Sequence, residues 1–403
     1  MRCQLLLEVA DFRKDERRMS VDSFHTSGTS PALATPCRVA LLGFGTVGSA
    51  IAARLAGPDP VPGLELTHIL DRRAFAKRDA LAAANAAPSR GPLRGDIRWT
   101  TSIDDILASG ADIVVEAIGG IEPATDWIRA ALGAGKSVVT ANKQVIAHHG
   151  SPLLAFAERQ GRQLRFEAAV GGAVPIVRAV SDGLAGDRLT RIVAILNGTS
   201  NAVLSTMEAT GCAVAQAVAH ARTCGWAEAD PATDLDGIDA RAKLAILCAA
   251  GFRLRLDPTR IETRSIAQLQ PSDIVQAAQR GGRIRQIAYA AYDHRRSVLT
   301  AWVAPARVPR SSVFGRTTGA QNAAVITGEH AGEIGVFGAG AGGAATAVAA
   351  IGDLLTIARD RAAIVPAPTL STPALIAGLD RPCDVVDLLE QPHAAARSLA
   401  EAV

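Results

Sequence analysis

The sequence has few aromatic residues and almost no excess of charge of either sign. Aromatic residues make up 4% of the 403 positions, and 42 basic residues oppose 39 acidic ones, for a formal net charge of +3. Single-stranded nucleic acids bind aromatic stacking platforms, and duplexes and anionic membranes attract an excess of basic residues. The composition therefore predicts no nucleic-acid partner and no association with a membrane.

The cysteines lack the spacing of a metal site or of a disulfide framework. None forms a C-x-x-C pair, and no apolar run reaches the roughly 20 residues of a membrane helix. The apolar cluster at 5–7 is too short for a secretory signal, because charged residues follow it at once. We therefore expect reduced thiols and a cytoplasmic location. The cysteines are Cys3, Cys37, Cys212, Cys224, Cys248 and Cys383.

The chain is long enough for more than one hydrophobic core. Hydrophobic residues supply 48% of it, and 403 residues predict two or three packed units. Residues 1–36 are dense in charge and then rich in Ser, Thr and Pro, which predicts a flexible leader. Residues 363–403 carry several prolines and predict a loose C-terminal tail.

Short apolar runs alternate with helical patterns in the first third of the chain. Strands that alternate with helices predict an α/β fold with a Rossmann-type, doubly wound parallel sheet, here over residues 37–165. The predicted strands are 38–42, 64–70, 112–116 and 137–140, and the helices between them include 47–55 and 123–135.

The remainder of the chain mixes strand and helix patterns less regularly, which predicts a second, α+β domain over residues 166–337. An alanine-rich helix is expected at 346–359, after a glycine-rich stretch. The predicted strands are 164–168, 189–196 and 299–308, and the predicted helices are 202–210, 213–224 and 239–252.

The first predicted strand is followed by the spacing G-x-G-x-x-G. Gly43 permits a tight turn, Gly45 lets backbone amides approach a pyrophosphate, and Gly48 lets the helix pack on the strand. The helix that begins near Thr46 and Val47 offers free N–H groups and partial positive charge to phosphates. Because the motif lies between an apolar strand and a helix, it predicts a dinucleotide site.

Asp71 stands at the end of the second predicted strand, where the adenosine ribose of a dinucleotide is bound in such folds. A carboxylate there binds both ribose hydroxyls and repels a 2′-phosphate, which favours NAD. Arg72 and Arg73 could instead bind that phosphate and favour NADP. The cofactor is therefore expected to be NAD or NADP, with the carboxylate favouring NAD.

Four blocks of sequence stand in order between residues 138 and 243. They are VVTANK at 138–143, EAAVGG at 167–172, NGTSN at 197–201, and GWAEADP at 225–231 followed by DLDGID at 234–239 and Lys243. Together they resemble the homoserine dehydrogenase family, and the similarity extends over most of the chain. The resemblance implies NAD(P)-dependent interconversion of L-homoserine and L-aspartate 4-semialdehyde by hydride transfer, in the biosynthesis of threonine, methionine and isoleucine.

The resemblance also implies an organisation. The second domain would bind the substrate, carry the catalytic groups and form a homodimer, and residues 338–362 would return to complete the first domain. Many family members carry a C-terminal regulatory domain, but no strand–helix alternation follows residue 359 here. The chain therefore resembles a short form without that domain.

The resemblance assigns the chemistry to a lysine and an aspartate. Lys243 would be the general acid/base and Asp239 would orient the substrate, and a spacing of four residues puts both on one face of a helix. An amine of lowered pKa in a partly desolvated cleft can take the alcohol proton and return it. Without the resemblance, the pair would be interpreted as a surface ion pair. By the same resemblance, Glu228 would bind the substrate's amino group, and Lys143 would lie near the nicotinamide. Lys143 and Lys243 could each carry the proton, and we favour Lys243.

Further contacts follow from the same resemblance. Those to the cofactor would be made by Gly119, Thr140, Lys143, Gly225 and Gly342. The ligands of a monovalent cation, sodium or potassium, would be Glu167, Val170, Gly172 and Val174. Ala173 stands where the family usually has glycine, and a positive φ at that residue would strain an alanine.

The sequence is also compatible with two other functions. One is a dehydrogenase of another amino-acid aldehyde or alcohol. The other is a dinucleotide-binding sensor without catalytic activity, which would have no need of Glu228, Asp239 and Lys243 together.

Overall fold

The computed structural model describes residues 35–84, 93–228, 230–379 and 385–388. Nearly all of the predicted leader lies outside the described residues. The described cysteines Cys37, Cys212, Cys224 and Cys248 are free thiols, as expected, whereas Cys3 and Cys383 lie outside that part of the chain.

The first sheet is parallel and has six strands. The strands are β1 (Cys37–Leu42), β2 (Leu64–Leu70), β3 (Arg98–Thr100), β4 (Ile113–Glu116), β5 (Ser137–Thr140) and β6 (Leu164–Arg165). The helices are α1 (Thr46–Ala56), α2 (Ala74–Ala84), α3 (Ile103–Ala108), α4 (Ala124–Gly133) and α5 (Lys143–Arg159). The strand order is β3-β2-β1-β4-β5-β6, and every neighbouring pair is parallel.

This order confirms the predicted Rossmann-type sheet. Successive strands are added on one side of β1 up to β3 and on its other side from β4 onward, and ligands bind in such sheets at the carboxyl ends of the strands beside this switch point. β4 and β5 are buried at every residue, which explains their short, continuous apolar sequences. The polar residues of these two strands are Glu116, which ends β4, and Ser137 and Thr140, which begin and end β5.

The second sheet is mixed and has eight strands. The strands are β7 (Leu189–Ile195), β8 (Glu262–Thr263), β9 (Gly282–Asp293), β10 (Val298–Pro309), β11 (Gln321–Gly328), β12 (Gly332–Ala339), β13 (Leu375–Ala377) and β14 (Val386–Asp387). The helices of this part are α6 (Ile176–Arg178), α7 (Gly198–Thr210), α8 (Val214–Thr223), α9 (Ala232–Leu235), α10 (Ile238–Phe252), α11 (Pro271–Gln279), α12 (Val313–Arg316) and α13 (Gly343–Arg359). The main order is β12-β11-β7-β9-β10-β13, and β8 and β14 also pair with β10.

One buried apolar cluster extends across both sheets through α10. This helix packs against β7 and β9 on one side and against α5 of the first sheet on another. Its residues Leu244, Leu247 and Cys248 are fully buried. α13 packs against α1, so the chain returns to the first sheet after β12. α10 therefore holds its polar residues at the meeting point of the two sheets.

Two predictions of secondary structure are wrong. The strand expected at 164–168 ends at Arg165, because a 3-10 turn (Glu167–Ala169) follows and the Glu167 N–H donates to Asp353 Oδ2 at 2.9 Å instead of to a strand. The tail expected to be loose carries β13 and β14, which pair in parallel with opposite ends of β10. Such two- and three-residue strands leave no periodic signal in a sequence.

No single helix in the described ranges is both long and apolar enough to cross a membrane. α7 and α8 satisfy the length and composition requirement only as a pair, and they are bent by 116° with respect to each other.

Candidate active site

The glycine turn after β1 has the geometry of a phosphate cradle. Gly43 has a φ of +94°, and a Cβ there would lie 2.7 Å from the Ala117 carbonyl oxygen. A Cβ on Gly48 would lie 1.9 Å from the Gly43 carbonyl oxygen, so α1 packs directly on the turn. Around Gly45 there is open space, and this residue caps α1 without a side-chain hydrogen bond. The N–H groups of Thr46 and its neighbours are therefore available to a dinucleotide pyrophosphate.

α13 begins against this turn. A Cβ on Gly343 would lie 2.5 Å from the Thr46 carbonyl oxygen. Gly342, which precedes it, has a φ of +99° and open space where a Cβ would be. The structure thus brings the predicted cofactor residue Gly342 beside the turn, although 294 positions of sequence separate it from Gly48.

Asp71 is held by three donors at the carboxyl end of β2. Its carboxylate accepts the Phe44 N–H and the Arg73 N–H, both at 2.9 Å, and forms an ion pair with Lys77 Nζ at 2.5 Å. Burial would raise the pKa of Asp71, but the hydrogen bonds from Lys77 and the two N–H groups outweigh it and lower the pKa. Asp71, Arg72, Arg73 and Lys77 line a cavity of about 340 Å³.

Asp239 lies between two lysine side chains. Its Oδ1 is 2.5 Å from Lys143 Nζ and its Oδ2 is 2.8 Å from Lys243 Nζ. Only 4% of the Asp239 side chain is exposed, against 39% for Lys143 and 13% for Lys243. Asp239 and Lys243 are one turn apart on α10, whereas Lys143 is the first residue of α5. The interpretation as a surface ion pair is therefore wrong, because the carboxylate is buried.

The charges within this cluster stabilise one another. Burial would raise the pKa of Asp239, but the charges of Lys243 and Lys143 outweigh it and hold the pKa well below its usual range. Burial would lower the pKa of Lys143, but the charge and hydrogen bond of Asp239 raise it above its usual value. Lys143 therefore remains an ammonium at neutral pH.

Asn197 connects this cluster to a second carboxylate. Its Nδ2 donates to Asp239 Oδ2 at 2.8 Å and to Asp234 Oδ1 at 2.7 Å. Its Oδ1 accepts the Ser200 N–H and so caps α7. Lys243 Nζ also donates to the Leu196 carbonyl oxygen, next to Asn197 in the chain, at 2.8 Å. Burial raises the pKa of Asp234, whose partner Asn197 belongs to a block that the sequence singled out without giving it a role.

A cavity of about 310 Å³ opens between the first sheet and α10. It lies beyond the carboxyl ends of β4 and β5, where ligands are expected in a parallel sheet. Its lining residues are Gly119, Gly120, Ala141, Asn142, Lys143, Gln144, Thr233, Ile238 and Asp239. The cavity thus brings together three residues that the sequence predicts separately, namely Gly119, Lys143 and Asp239.

Several predicted site residues do not line this cavity, among them Lys243, Thr140, Gly225 and Glu228. Thr140 is fully buried and donates to Glu116 instead of facing the cavity. Gly225 and Glu228 lie on the exposed loop after α8. The charge of Glu228 is nevertheless close enough to contribute to the raised pKa of Lys143.

The predicted cation loop surrounds a buried carboxylate. Both oxygens of Glu167 accept backbone N–H groups, from Val177 at 3.0 Å and from Arg178 at 2.8 Å. Burial and the charge of Asp353 raise the pKa of Glu167 to about 7. Within the described ranges no cluster of three or more His, Cys, Asp and Glu side chains could hold a metal ion, so a cation here would rely on backbone carbonyls.

Ala173 is not strained in this loop. The positive φ, +62°, belongs to Gly172, and a Cβ there would lie 2.6 Å from the Gly340 carbonyl carbon. Ala173 itself does not have a positive φ, and its N–H donates to the Ala339 carbonyl oxygen at 3.0 Å. The loop therefore accepts alanine at this position.

Comparison with known proteins places the two halves of the chain in one family. A family model for the NAD-binding domain of homoserine dehydrogenase matches residues 43–167, and one for homoserine dehydrogenase matches residues 175–355. The homoserine dehydrogenase of Mycobacterium tuberculosis is 37% identical over 81% of this chain and 73% of its own length. That of Corynebacterium glutamicum is 37% identical over 83% of this chain and 74% of its own length.

Solved structures agree with this placement. The crystal structure of a homoserine dehydrogenase from Thiobacillus denitrificans superposes with a TM-score of 0.74 at 34% identity, over 85% of this chain and 80% of that one. A mutant homoserine dehydrogenase from a hyperthermophilic archaeon, in complex with NADPH, gives a TM-score of 0.65 at 25% identity, over 83% and 99% of the chains. The chain belongs to the homoserine dehydrogenase family.

Proposed function

We infer that the chain catalyses the NAD(P)-dependent interconversion of L-homoserine and L-aspartate 4-semialdehyde. The observation that carries this inference is the buried Asp239 between Lys143 and Lys243, on the wall of a cavity at the carboxyl edge of the dinucleotide-binding sheet. A dinucleotide sensor has no use for two lysine side chains held around a buried carboxylate. An alcohol dehydrogenase needs a proton acceptor and a cation beside the reacting oxygen.

The residues of this cluster divide the proton chemistry between them. The glycine turn after β1 and Gly119 would hold the dinucleotide, whose nicotinamide would supply hydride transfer to and from the alcohol carbon. The raised pKa of Lys143 keeps it charged, which suits it to stabilise negative charge on the substrate oxygen. Lys243, on the other side of Asp239, accepts the hydroxyl proton during oxidation and returns it in the reverse direction. Asp239 holds both amines in place, and Glu228 binds the substrate ammonium.

Formation of NAD(P)H on addition of L-homoserine tests the proposed reaction. We expect the rise in near-ultraviolet absorbance to require both homoserine and an oxidised cofactor. We also expect an aldehyde reagent to trap the product as a derivative. Cofactor binding without reduction would indicate a sensor. Reduction only with another amino alcohol would indicate a dehydrogenase of different specificity.

We propose that the cofactor is NADP rather than NAD. The Asp71 carboxylate, which favours NAD in isolation, is already held by Lys77 and two N–H groups. The 340 Å³ cavity is lined by this carboxylate and by three cationic side chains, those of Arg72, Arg73 and Lys77. The net charge around the expected position of the adenosine ribose is therefore +2. A dianionic 2′-phosphate is attracted to such a group of cations.

Replacing Lys77 by glutamine should reverse this cofactor preference. Without Lys77 the Asp71 carboxylate keeps only its two backbone N–H partners and loses the neutralising charge, so it can bind the ribose hydroxyls and repel the phosphate. We expect the KM for NADP⁺ to rise about tenfold or more, and the KM for NAD⁺ to stay or fall. Arg78→Gln is the matched control, because Arg78 is half exposed and pairs with Asp79 instead. A wild-type enzyme with the lower KM for NAD⁺ would show that the proposed preference is wrong.

A bound sodium or potassium ion is also part of the proposal. When both are ionised, the buried carboxylates Glu167 and Asp353 carry one negative charge more than the Arg178 guanidinium that they share, and burial beside Asp353 raises the pKa of Glu167 to about 7. A monovalent cation held by Glu167 and the carbonyl oxygens of the 170–174 loop would balance this extra negative charge. Activity should therefore fall severalfold when tetramethylammonium replaces sodium and potassium at equal ionic strength, and Glu167→Gln should abolish this response. A wild-type rate that is the same in all three salts would contradict the proposal.

A homodimer and a cytoplasmic location complete the proposed function. β12 is the edge strand of the second sheet, and Phe337 on it is 67% exposed, which leaves an apolar edge for a second copy to cover. Light scattering should give twice the mass of the chain, and a monomer mass at micromolar concentration would oppose the dimer. The free thiols of the described cysteines agree with a reducing compartment.

A further inference from the structure

Glu116 is a buried carboxyl group at the switch point of the first sheet that no step of the proposed reaction uses. It is fully buried, ends the apolar strand β4, and follows Ile113, Val114 and Val115. Burial raises its pKa. A buried carboxyl group is costly unless several donors surround it, so its partners indicate what it is retained for.

Its partners come from two loops. From the loop after β4, the Ile118 N–H donates to Oε1 at 2.8 Å and the Gly119 N–H donates to it at 3.3 Å. From the end of β5, the Thr140 hydroxyl donates to Oε2 at 2.5 Å, and Asn142 Nδ2 approaches Oε1 at 3.4 Å. One carboxyl group therefore joins the 118–120 loop to the 140–142 loop.

Asn142 extends this connection to the catalytic cluster. Its Nδ2 donates to the Gly120 carbonyl at 2.6 Å, and its N–H donates to the Thr140 hydroxyl oxygen at 3.0 Å. Its Oδ1 accepts the Val145 N–H and caps α5, whose first residue is Lys143. The position of the Lys143 ammonium, 2.5 Å from Asp239, thus depends on a helix start that Glu116 helps to fix.

The two joined loops, with the start of α5, form most of the wall of the 310 Å³ cavity. We propose that Glu116 is a positioning residue that sets the width and shape of the nicotinamide end of this cavity. It acts through the Gly119 backbone on one side and through Asn142 and Lys143 on the other. This inference rests on one part of the proposed function, namely that the nicotinamide of the cofactor binds in this cavity.

Separate binding of the two halves of the cofactor tests the proposal. In Glu116→Ala, we expect the affinity for NADPH, measured by fluorescence titration, to fall about tenfold or more. The affinity for 2′,5′-ADP, which lacks the nicotinamide, should stay within about twofold, because the side-chain hydrogen bonds of Glu116 go to the 118–120 and 140–142 loops and not to the glycine turn or to Asp71. In Glu116→Gln the amide can accept from Ile118 and donate to Thr140, so its affinity for NADPH should stay close to that of the wild type.

Two further variants separate positioning from stability. Thr67→Val is the control, because it removes a buried hydrogen bond to the Val39 carbonyl within the same sheet but away from the cavity. It should leave both affinities unchanged. If Glu116→Ala fails to fold, Asn142→Ala removes the other side of the connection and should show the same selective loss of NADPH affinity.

Equal losses for NADPH and 2′,5′-ADP, or an unchanged NADPH affinity in the folded variants, would overturn the proposal. These measurements need no homoserine. A wild-type protein that binds NADPH but does not oxidise homoserine would therefore refute the proposed function and still allow this test.

Discussion

Replacing Lys243 by alanine should lower turnover about a hundredfold or more and leave the affinity for the cofactor close to that of the wild type. The reason is that Lys243 takes the hydroxyl proton, and a positioned acid/base contributes about this much to a rate. The variant should fold, because Asp239 keeps its ion pair with Lys143 at 2.5 Å and its hydrogen bond from Asn197 at 2.8 Å. Steady-state kinetics and a cofactor titration measure both quantities.

Chemical rescue distinguishes the two lysines. An added primary amine should restore part of the turnover of Lys243→Ala, because a free amine can accept the proton in its place. Lys143→Ala should also be slow but should not respond to the amine, since it lacks a fixed cation rather than a base. If Lys243→Ala stays within about fivefold of the wild-type turnover, the assignment of the proton transfer is wrong.

Replacing Asp239 by asparagine should be at least as damaging as the loss of Lys243. The change leaves the two lysine side chains in a largely buried site without the carboxylate that separates them. The raised pKa of Lys143 depends on Asp239, so without that charge burial dominates and the pKa falls. We expect turnover to fall about a hundredfold or more.

The pH profile of Asp239→Asn has a defined direction. Lys143 must be protonated to stabilise the substrate oxygen, so activity is lost as the pH rises through its pKa. A lower pKa moves this loss to lower pH. Asp236→Asn is the matched control, since it makes the same change at an exposed residue of the same segment that bonds Ser265. An unchanged basic limb in Asp239→Asn would contradict the proposed role of Lys143.

The features that the sequence predicts well are local ones. The glycine turn lies between an apolar strand and a helix, and the spacing of four residues between Asp239 and Lys243 places both on one helical face. Both conclusions need only the period of one element. The parallel pairing of the first sheet follows from the alternation of strands and helices.

The features that the sequence does not reveal depend on contacts between distant segments. Nothing in the sequence shows that Lys143 meets Asp239, because the two residues start helices that pack together only in the folded chain. Lys77 is only six positions from Asp71, but the bend between β2 and α2 determines whether its ammonium reaches the carboxylate. The hydrogen bonds of Glu116 and Asn197 are hidden for the same reason. A polar residue that ends or follows a buried strand is the one signal that could have identified them.

The most direct test compares L-homoserine with L-serine and L-threonine as substrates of the wild-type enzyme and of Lys243→Ala, with NADP⁺ and NAD⁺. We expect kcat/KM for homoserine to exceed that for the other two alcohols by about a hundredfold or more, with the Lys243→Ala rate at the background level. No reduction of either cofactor by homoserine, in a folded protein that binds NADPH, would contradict the account.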